Sequence, residues 1–275
     1  MRKLLVVAVL LWNYANAQDN SSFTIATSGR GERNIIFIPG LGCSPAVWQE
    51  TINALSGNAT CYAVGFSGFA GNKPQENVDI KLWEKDLLRF IKDHKIEKPV
   101  LVGHSLGGVI ALELASEAPG IISKIVVVDA FPCLPAVLDP AFKASENFDD
   151  KPIVDQFVKM EDGQFYNMQK AGFKQMLADT SRLSMLLDWS MKSDRKTIGK
   201  GYAYFMNTDL RSKLSAIQCS SLILLQPAFK AREDVVKQQY QLLGKADVKF
   251  ATKGLHFMMY DDKEWYLNTI KSFLQ

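Results

Sequence analysis

Short apolar runs alternate with longer amphipathic stretches along most of this 275-residue chain. Runs rich in Val, Ile and Leu predict buried strands, and the stretches between them carry apolar residues at helical spacing. The strand-like runs are 23–26, 34–38, 59–66, 100–102, 124–129, 221–225 and 248–251. Strands that alternate with helices predict an α/β protein with a mostly parallel, doubly wound sheet.

One of these runs leads directly into a short motif. Residues 100–108 read Val-Leu-Val-Gly-His-Ser-Leu-Gly-Gly, and an apolar helical stretch follows. The segment 103–107 matches G-x-S-x-G, the nucleophile elbow, in which a strand turns sharply into a helix and holds its serine in a strained conformation. The hydroxyl of Ser105 would then lie at a helix N-terminus, whose partial positive charge favours a developing anion. We predict Ser105 as a nucleophile and the N–H of Leu106 as one donor to an oxyanion.

This elbow resembles that of the α/β-hydrolase superfamily, and the resemblance covers nearly all of the chain after residue 17. In that superfamily the loop after the matching strand typically begins His-Gly, and the next residue donates the second N–H to the oxyanion hole. Residues 39–42 read Pro-Gly-Leu-Gly, with proline in place of the histidine. The donor is a main-chain group, so Leu41 can still supply it.

A serine hydroxyl needs a base to take its proton, and histidine titrates near neutrality. The chain has three histidines. The elbow directs the His104 side chain away from the nucleophile, and His94 ends a helix far from the catalytic edge. His256 follows the last strand, where similar hydrolases place the catalytic histidine. We therefore predict His256 as the general base.

The acid that orients this histidine departs from the common pattern. Similar hydrolases usually carry an aspartate soon after the strand that precedes the histidine strand, but residues 226–230 contain no acid. Glu233 and Asp234 come next, yet they open a helix, where acids commonly interact with the helix dipole. Asp129 ends the strand after the elbow, a position that some relatives use, and a strand end holds a side chain rigidly. We predict Asp129, with Asp234 as the alternative.

The alternation of strands and helices stops between residues 131 and 217. Helical patterns recur there without a strong strand signal, and most of the methionines lie in this segment. Such an insertion resembles a helical cap, and flexible thioethers suit an adaptable apolar roof over a pocket. We expect an α/β-hydrolase core of residues 18–130 and 218–275, with residues 131–217 as the cap.

The resemblance implies two-step acyl transfer without a cofactor, by a carboxylesterase that acts on small to medium apolar esters. Carbon–carbon hydrolysis, lactone opening and lyase chemistry stay open, because the same triad serves them. A hydrolase-like binding protein without activity is a further alternative. Such proteins usually lose the nucleophile or the histidine, and both are present here.

Residues 1–17 have the features of a signal peptide. Arg2 and Lys3 form a charged start, residues 4–12 are apolar, and residues 15–17 read Ala-Asn-Ala. The apolar stretch is too short to span a bilayer comfortably, although a retained anchor is the alternative. We expect cleavage near Ala17 and export to a periplasm or the cell exterior.

Charge and cysteine content narrow the partners. Without Arg2 and Lys3, 32 basic residues become 30 against 29 acidic ones, so the formal charge falls from +3 to +1. The basic residues are scattered, which does not indicate a nucleic-acid partner. No pair of cysteines or histidines has metal-ligand spacing, so we expect no metal site. An oxidising compartment would permit disulfides among Cys43, Cys61, Cys133 and Cys219, without the spacing indicating a pairing.

Overall fold

The structure is a computed structural model that describes residues 13–14 and 22–275. Apart from residues 13–14, the predicted signal peptide lies outside the described residues. The strands form one sheet in the order β1-β2-β4-β3-β5-β6-β7-β8. They are β1 Asn13–Tyr14, β2 Phe23–Ser28, β3 Arg33–Ile38, β4 Ala59–Phe66, β5 Val100–His104, β6 Lys124–Val128, β7 Ser220–Leu225 and β8 Ala246–Phe250.

Helices connect most of the strands and also fill the long segment between β6 and β7. They are α1 Gln49–Leu55, α2 Ile80–Asp93, α3 Leu106–Glu117, α4 Lys151–Lys159, α5 Asp162–Met176, α6 Leu183–Met191, α7 Arg195–Met206, α8 Glu233–Tyr240, α9 Met258–Asp261 and α10 Lys263–Leu274. Helices α4 to α7 lie within residues 131–217, where the described chain contains no strand.

The sheet is parallel from β4 across to β8, whereas β2 pairs antiparallel with both β1 and β4. Helices pack on both of its faces, with Trp83 of α2 buried in one apolar cluster and Tyr266 of α10 in the other. The predicted fold class is confirmed. Since carboxyl ends of parallel strands share one edge of a sheet, the loops after β3, β5, β6 and β8 meet there.

Helix α2 shows how local sequence sets these elements. Asp79 caps it, accepting a hydrogen bond from the N–H of Lys81 at 2.8 Å. Such a cap satisfies one of the backbone donors that a helix start leaves unpaired. Trp83, Leu87 and Ile91 recur at helical spacing and are buried against the sheet. The cap and the apolar stripe therefore specify the helix together.

Polar contacts to two buried carboxylates join residues 131–217 to helices α2 and α3. Glu84 and Glu113 are buried, and Lys81 bridges the two carboxylates at 3.1 and 2.9 Å. From the inserted segment, the hydroxyl of Tyr204 donates to Glu84 at 2.5 Å and Lys213 pairs with Glu113 at 2.5 Å. Burial raises the pKa of Glu84 to about 7. The inserted segment is therefore held on the core by polar contacts as well as apolar ones.

All four cysteines lie in the described part of the chain and are free. Burial raises the pKa of Cys43 and Cys61 to about 12, which keeps both thiols protonated and unreactive. Over residues 13–14 and 22–275, no helix combines the length and apolar character needed to cross a membrane. In the same ranges, no group of His, Cys, Asp and Glu side chains could hold a metal ion.

Candidate active site

The turn from β5 into α3 places Ser105 in a strained conformation. Its φ is 53° and its ψ −121°, in the left-handed half of backbone space that side chains rarely adopt. A Cβ on Gly103 would lie 2.1 Å from the carbonyl oxygen of Gly107, and one on Gly107 would lie 2.2 Å from that of Ile38. Only glycine fits these two positions. The N–H of Ser105 donates to Val128 at 3.0 Å, which ties the elbow to β6.

Two backbone N–H groups near Ser105 can donate hydrogen bonds to a negatively charged oxygen. Leu106 opens α3, and the first N–H groups of a helix have no acceptor within it. Neither the N–H of Leu106 nor that of Leu41 has a hydrogen-bond partner among residues 22–275. The loop of Leu41 packs beside the nucleophile, since a Cβ on Gly40 would lie 3.3 Å from Cβ of Ser105. The two amides are therefore suited to an oxyanion hole.

The structure brings His256 and Asp129 together, although 127 positions separate them. Nδ1 of His256 lies 2.7 Å from Oδ2 of Asp129, and the carboxylate neighbour assigns the Nδ1 proton. The Asp129 side chain is 3% exposed and that of His256 20%. This contact leaves Nε2 of His256 available for proton transfer.

The other candidate acids lie elsewhere. Asp234 and Glu233 are exposed in the first turn of α8, and Glu233 pairs with Lys237 at 3.6 Å. Neither makes a described contact with His256. Geometry therefore favours Asp129 as the partner of the histidine.

Sequence reasoning missed a residue that holds the acid. The N–H of Gln226 donates to Oδ1 of Asp129 at 2.9 Å, and its side-chain amide donates to Oδ2 at 3.0 Å. Gln226 directly follows β7, in the region where relatives usually carry their acid, and that position was the available signal. Its two donors satisfy a carboxylate that is otherwise buried.

The remaining histidines differ in their surroundings. His94 is exposed at the end of α2, with Nδ1 3.1 Å from the carbonyl oxygen of Phe90, as expected of a helix-end residue. His104 is 1% exposed, and its Nε2 lies 3.0 Å from the carbonyl oxygen of His256. Its side chain therefore points at the histidine loop, a contact that the sequence did not predict.

Helix α7 covers the loop that carries Leu41. A Cβ on Gly201 would lie 2.6 Å from Cδ1 of Leu41. One on Gly42 would lie 2.9 Å from Cδ1 of Ile198, one turn before Gly201. The inserted segment thus contacts this loop directly, and glycine at residue 201 permits the close approach.

Hydrogen bonds fasten the start of α7 to the core. The hydroxyl oxygen of Ser193 accepts from the N–H of Ala70 at 2.8 Å. The N–H of Asp194 donates to the carbonyl of Gly68 at 2.8 Å. Both core residues belong to the loop after β4, at the same edge of the sheet as Ser105.

Comparisons with known proteins identify the family and the fold. The sequence model of the "Alpha/beta hydrolase family" matches residues 35–268. A pimeloyl-[acyl-carrier protein] methyl ester esterase of Wigglesworthia glossinidia brevipalpis is 25% identical over 199 residues, which cover 70% of this chain and 74% of that protein.

Solved structures share the fold at low sequence identity. A hydrolase of Pseudomonas aeruginosa superposes with a TM-score of 0.76 at 15% identity, covering 97% of this chain and 99% of that one. The enol-lactonase of Burkholderia xenovorans gives a TM-score of 0.75 at 15% identity, covering 95% and 99%. Likeness at this level of identity shows the fold alone.

Proposed function

The chain belongs to the alpha/beta hydrolase family and is a hydrolase, and we propose that Ser105, His256 and Asp129 form its catalytic triad. The observation that carries this proposal is the 2.7 Å contact between Nδ1 of His256 and the buried carboxylate of Asp129. The ring of His104, which precedes Ser105, lies 4.5 Å from the ring of His256. This contact supports a base beside Ser105 at the start of α3.

In the first step, Oγ of Ser105 attacks the carbonyl carbon of an ester and Nε2 of His256 takes the hydroxyl proton. The carbonyl electron pair moves onto oxygen, where the N–H groups of Leu41 and Leu106 donate to it. When the pair returns, the bond to the alcohol oxygen breaks. The imidazolium of His256 gives its proton to the departing alkoxide.

In the second step, water attacks the acyl-enzyme and gives a proton to His256. Collapse of this second oxyanion breaks the bond to Ser105, which recovers its proton from the histidine. Asp129 stays ionised and stabilises the imidazolium in both steps. No cofactor is needed.

We propose esters with small to medium acyl groups as substrates. Support for an ester comes from the relative described as a methyl ester esterase. Support for a limit on size comes from α7, which approaches Leu41 closely at Gly201. We also propose that residues 131–217 act as a cap that limits the length of the acyl group. Alkoxides leave more readily than amines, which favours esters over amides.

A labelling experiment tests the nucleophile and the substrate class together. An organophosphonate should modify the wild type at one position, the peptide that contains Ser105, and it should block hydrolysis of p-nitrophenyl acetate. Acetyl and butyryl esters should turn over faster than emulsified long-chain triglyceride. Labelling elsewhere would refute the nucleophile, and faster turnover of the triglyceride would favour a lipase. Activity on lactones alone would redirect the proposal to lactone opening.

We further propose that the protein is exported after cleavage near Ala17. The charged start, the apolar stretch and the small residues at 15 and 17 support this. Intact mass of protein recovered outside the cytoplasm should match a chain that begins at Gln18. A mass that includes residues 1–17 would contradict cleavage.

A further inference from the structure

His104 is a buried histidine to which the proposed reaction assigns no role. Three other rings surround its own. It lies 4.5 Å from the ring of His256 and 4.8 Å from that of Phe257, and Trp48 meets it edge-on at 6.4 Å. On the remaining side, a Cβ on Gly40 would lie 3.0 Å from Nδ1. His104 is therefore enclosed between the histidine loop and the loop that carries Leu41.

The protonation of His104 follows from its neighbours. A carbonyl oxygen can only accept a hydrogen bond, so Nε2 must donate its proton to the carbonyl of His256, 3.0 Å away. Burial lowers the pKa of His104 well below its usual value, and the nearby His256 lowers it further. The ring is thus the neutral Nε2–H tautomer.

If His104 served only to fill space, its neutral ring would be less stable there than an apolar side chain. Its Nδ1 is buried and has no hydrogen-bond partner among residues 22–275. A buried polar atom left without a partner costs about 1–3 kcal/mol, which an apolar side chain in the same space would avoid. We therefore look to the hydrogen bond at Nε2, which an apolar side chain could not make, for the role of His104.

We propose that His104 is a positioning residue, whose Nε2–H fixes the backbone of His256 and so holds the proposed base over Ser105. This inference rests on the proposed function. Asp129 holds the ring of His256 through Nδ1, whereas His104 holds the main chain of the same residue. One anchor alone leaves the ring free to pivot. Two anchors on opposite parts of one residue fix both its place and its direction.

Neutrality of His104 is part of this role. His256 becomes positively charged each time it takes a proton, with the ring of His104 only 4.5 Å away. A second positive charge at that distance would oppose proton transfer, and the opposition would be strong in a buried setting. Burial prevents this by keeping the His104 ring uncharged.

Two amide variants of matched chemistry test the proposal. In His104→Gln, the amide nitrogen can reach the place of Nε2 and donate to His256. In His104→Asn, the shorter side chain cannot. We expect His104→Gln to keep kcat for p-nitrophenyl acetate within about 5-fold, and His104→Asn to lower it by about 10²-fold, as a displacement of roughly 1 Å would. KM should change little in both, and their melting temperatures should agree.

Equal kcat values for the two variants, whether both near wild type or both reduced about 10²-fold, would overturn the proposal. Ser105→Ala in the same assay distinguishes failure of the role of His104 from failure of the proposed function. If Ser105→Ala hydrolyses the ester at the wild-type rate, the proposed function itself has failed. Should the amide variants not fold, ¹⁵N spectra of the histidines in the wild type decide. Those spectra should show a protonated Nε2 and a bare Nδ1 at His104, and a protonated Nδ1 would contradict the assignment.

Discussion

Replacing Ser105 with alanine should lower kcat for p-nitrophenyl acetate by about 10⁴- to 10⁶-fold, because no other group at the elbow can form the acyl-enzyme. The measurement is initial rate after subtraction of spontaneous hydrolysis. Ser116→Ala is the matched control. It makes the same substitution within α3, the helix that begins directly after Ser105, at a half-buried serine whose hydroxyl donates to the carbonyl of Glu113 at 2.8 Å. This control should keep the wild-type rate.

Combining substitutions sharpens this prediction. Ser105 and His256 act in one proton transfer, so Ser105→Ala, His256→Ala and the double variant should all be slowed by similar factors. Independent contributions would multiply instead. A double variant slower than either single variant by a further factor of about 10³ would contradict a shared step. A Ser105→Ala variant that retains a tenth of the wild-type rate would refute the nucleophile.

Asp129→Asn should lower kcat by about 10²- to 10⁴-fold while the protein stays folded. The amide cannot stabilise an imidazolium as a carboxylate does, and it favours the wrong tautomer of His256. In the wild type, the N–H of Gln226 donates to Oδ1 of Asp129 at 2.9 Å. The carbonyl oxygen of asparagine can accept the same hydrogen bond, so the backbone of Gln226 keeps its partner. The measurement is kcat for the same ester, with far-ultraviolet circular dichroism as the test of folding.

The matched control for this prediction is Asp234→Asn. It makes the same change of carboxylate to amide at an exposed position in the first turn of α8. We expect its kcat to lie within about 2-fold of wild type, since Asp234 makes no described contact with His256 and exposed charge pairs contribute little to stability. If Asp234→Asn were the slower variant, Asp129 would lose its assignment as the acid.

Much of the core could be predicted because its signals are local. Strand β6, for example, contains a run of branched apolar residues at 125–128, buried on both faces of a parallel sheet. The elbow is also recognised from a short motif. Gly103 is required by the carbonyl oxygen of Gly107, four residues away, and Gly107 by that of Ile38 in the neighbouring strand β3. The run predicted at 124–129 ends one residue earlier in the structure, because Asp129 has a φ of 46° and leaves the strand.

Other features depend on residues far apart in sequence. The contact between His104 and His256 spans 152 positions, and the sequence offers no periodicity or motif that pairs them. The only signal at Gln226 was its position after β7, and an amide there does not by itself indicate a contact with Asp129. The approach of Gly201 to Leu41 depends on how the inserted helices rest on the core. Such contacts arise from tertiary packing, which local patterns do not encode.

The hydrogen bonds at Ser193 and Asp194 have a consequence for how often the site is accessible. Lifting α7 from the core would break both bonds, Ala70 to Ser193 and Asp194 to Gly68. It would also break the bonds of Tyr204 to Glu84 and of Lys196 to the carbonyl of Glu76. At about 1 kcal/mol for each of these four hydrogen bonds, with some loss of apolar contact as well, opening would cost at least about 4 kcal/mol, so no more than roughly one molecule in a thousand would be open at equilibrium. A bulky ester that requires the open form would bind with its apparent affinity reduced by that fraction. Discrimination by size would then reflect the population of open molecules as much as the volume of the pocket.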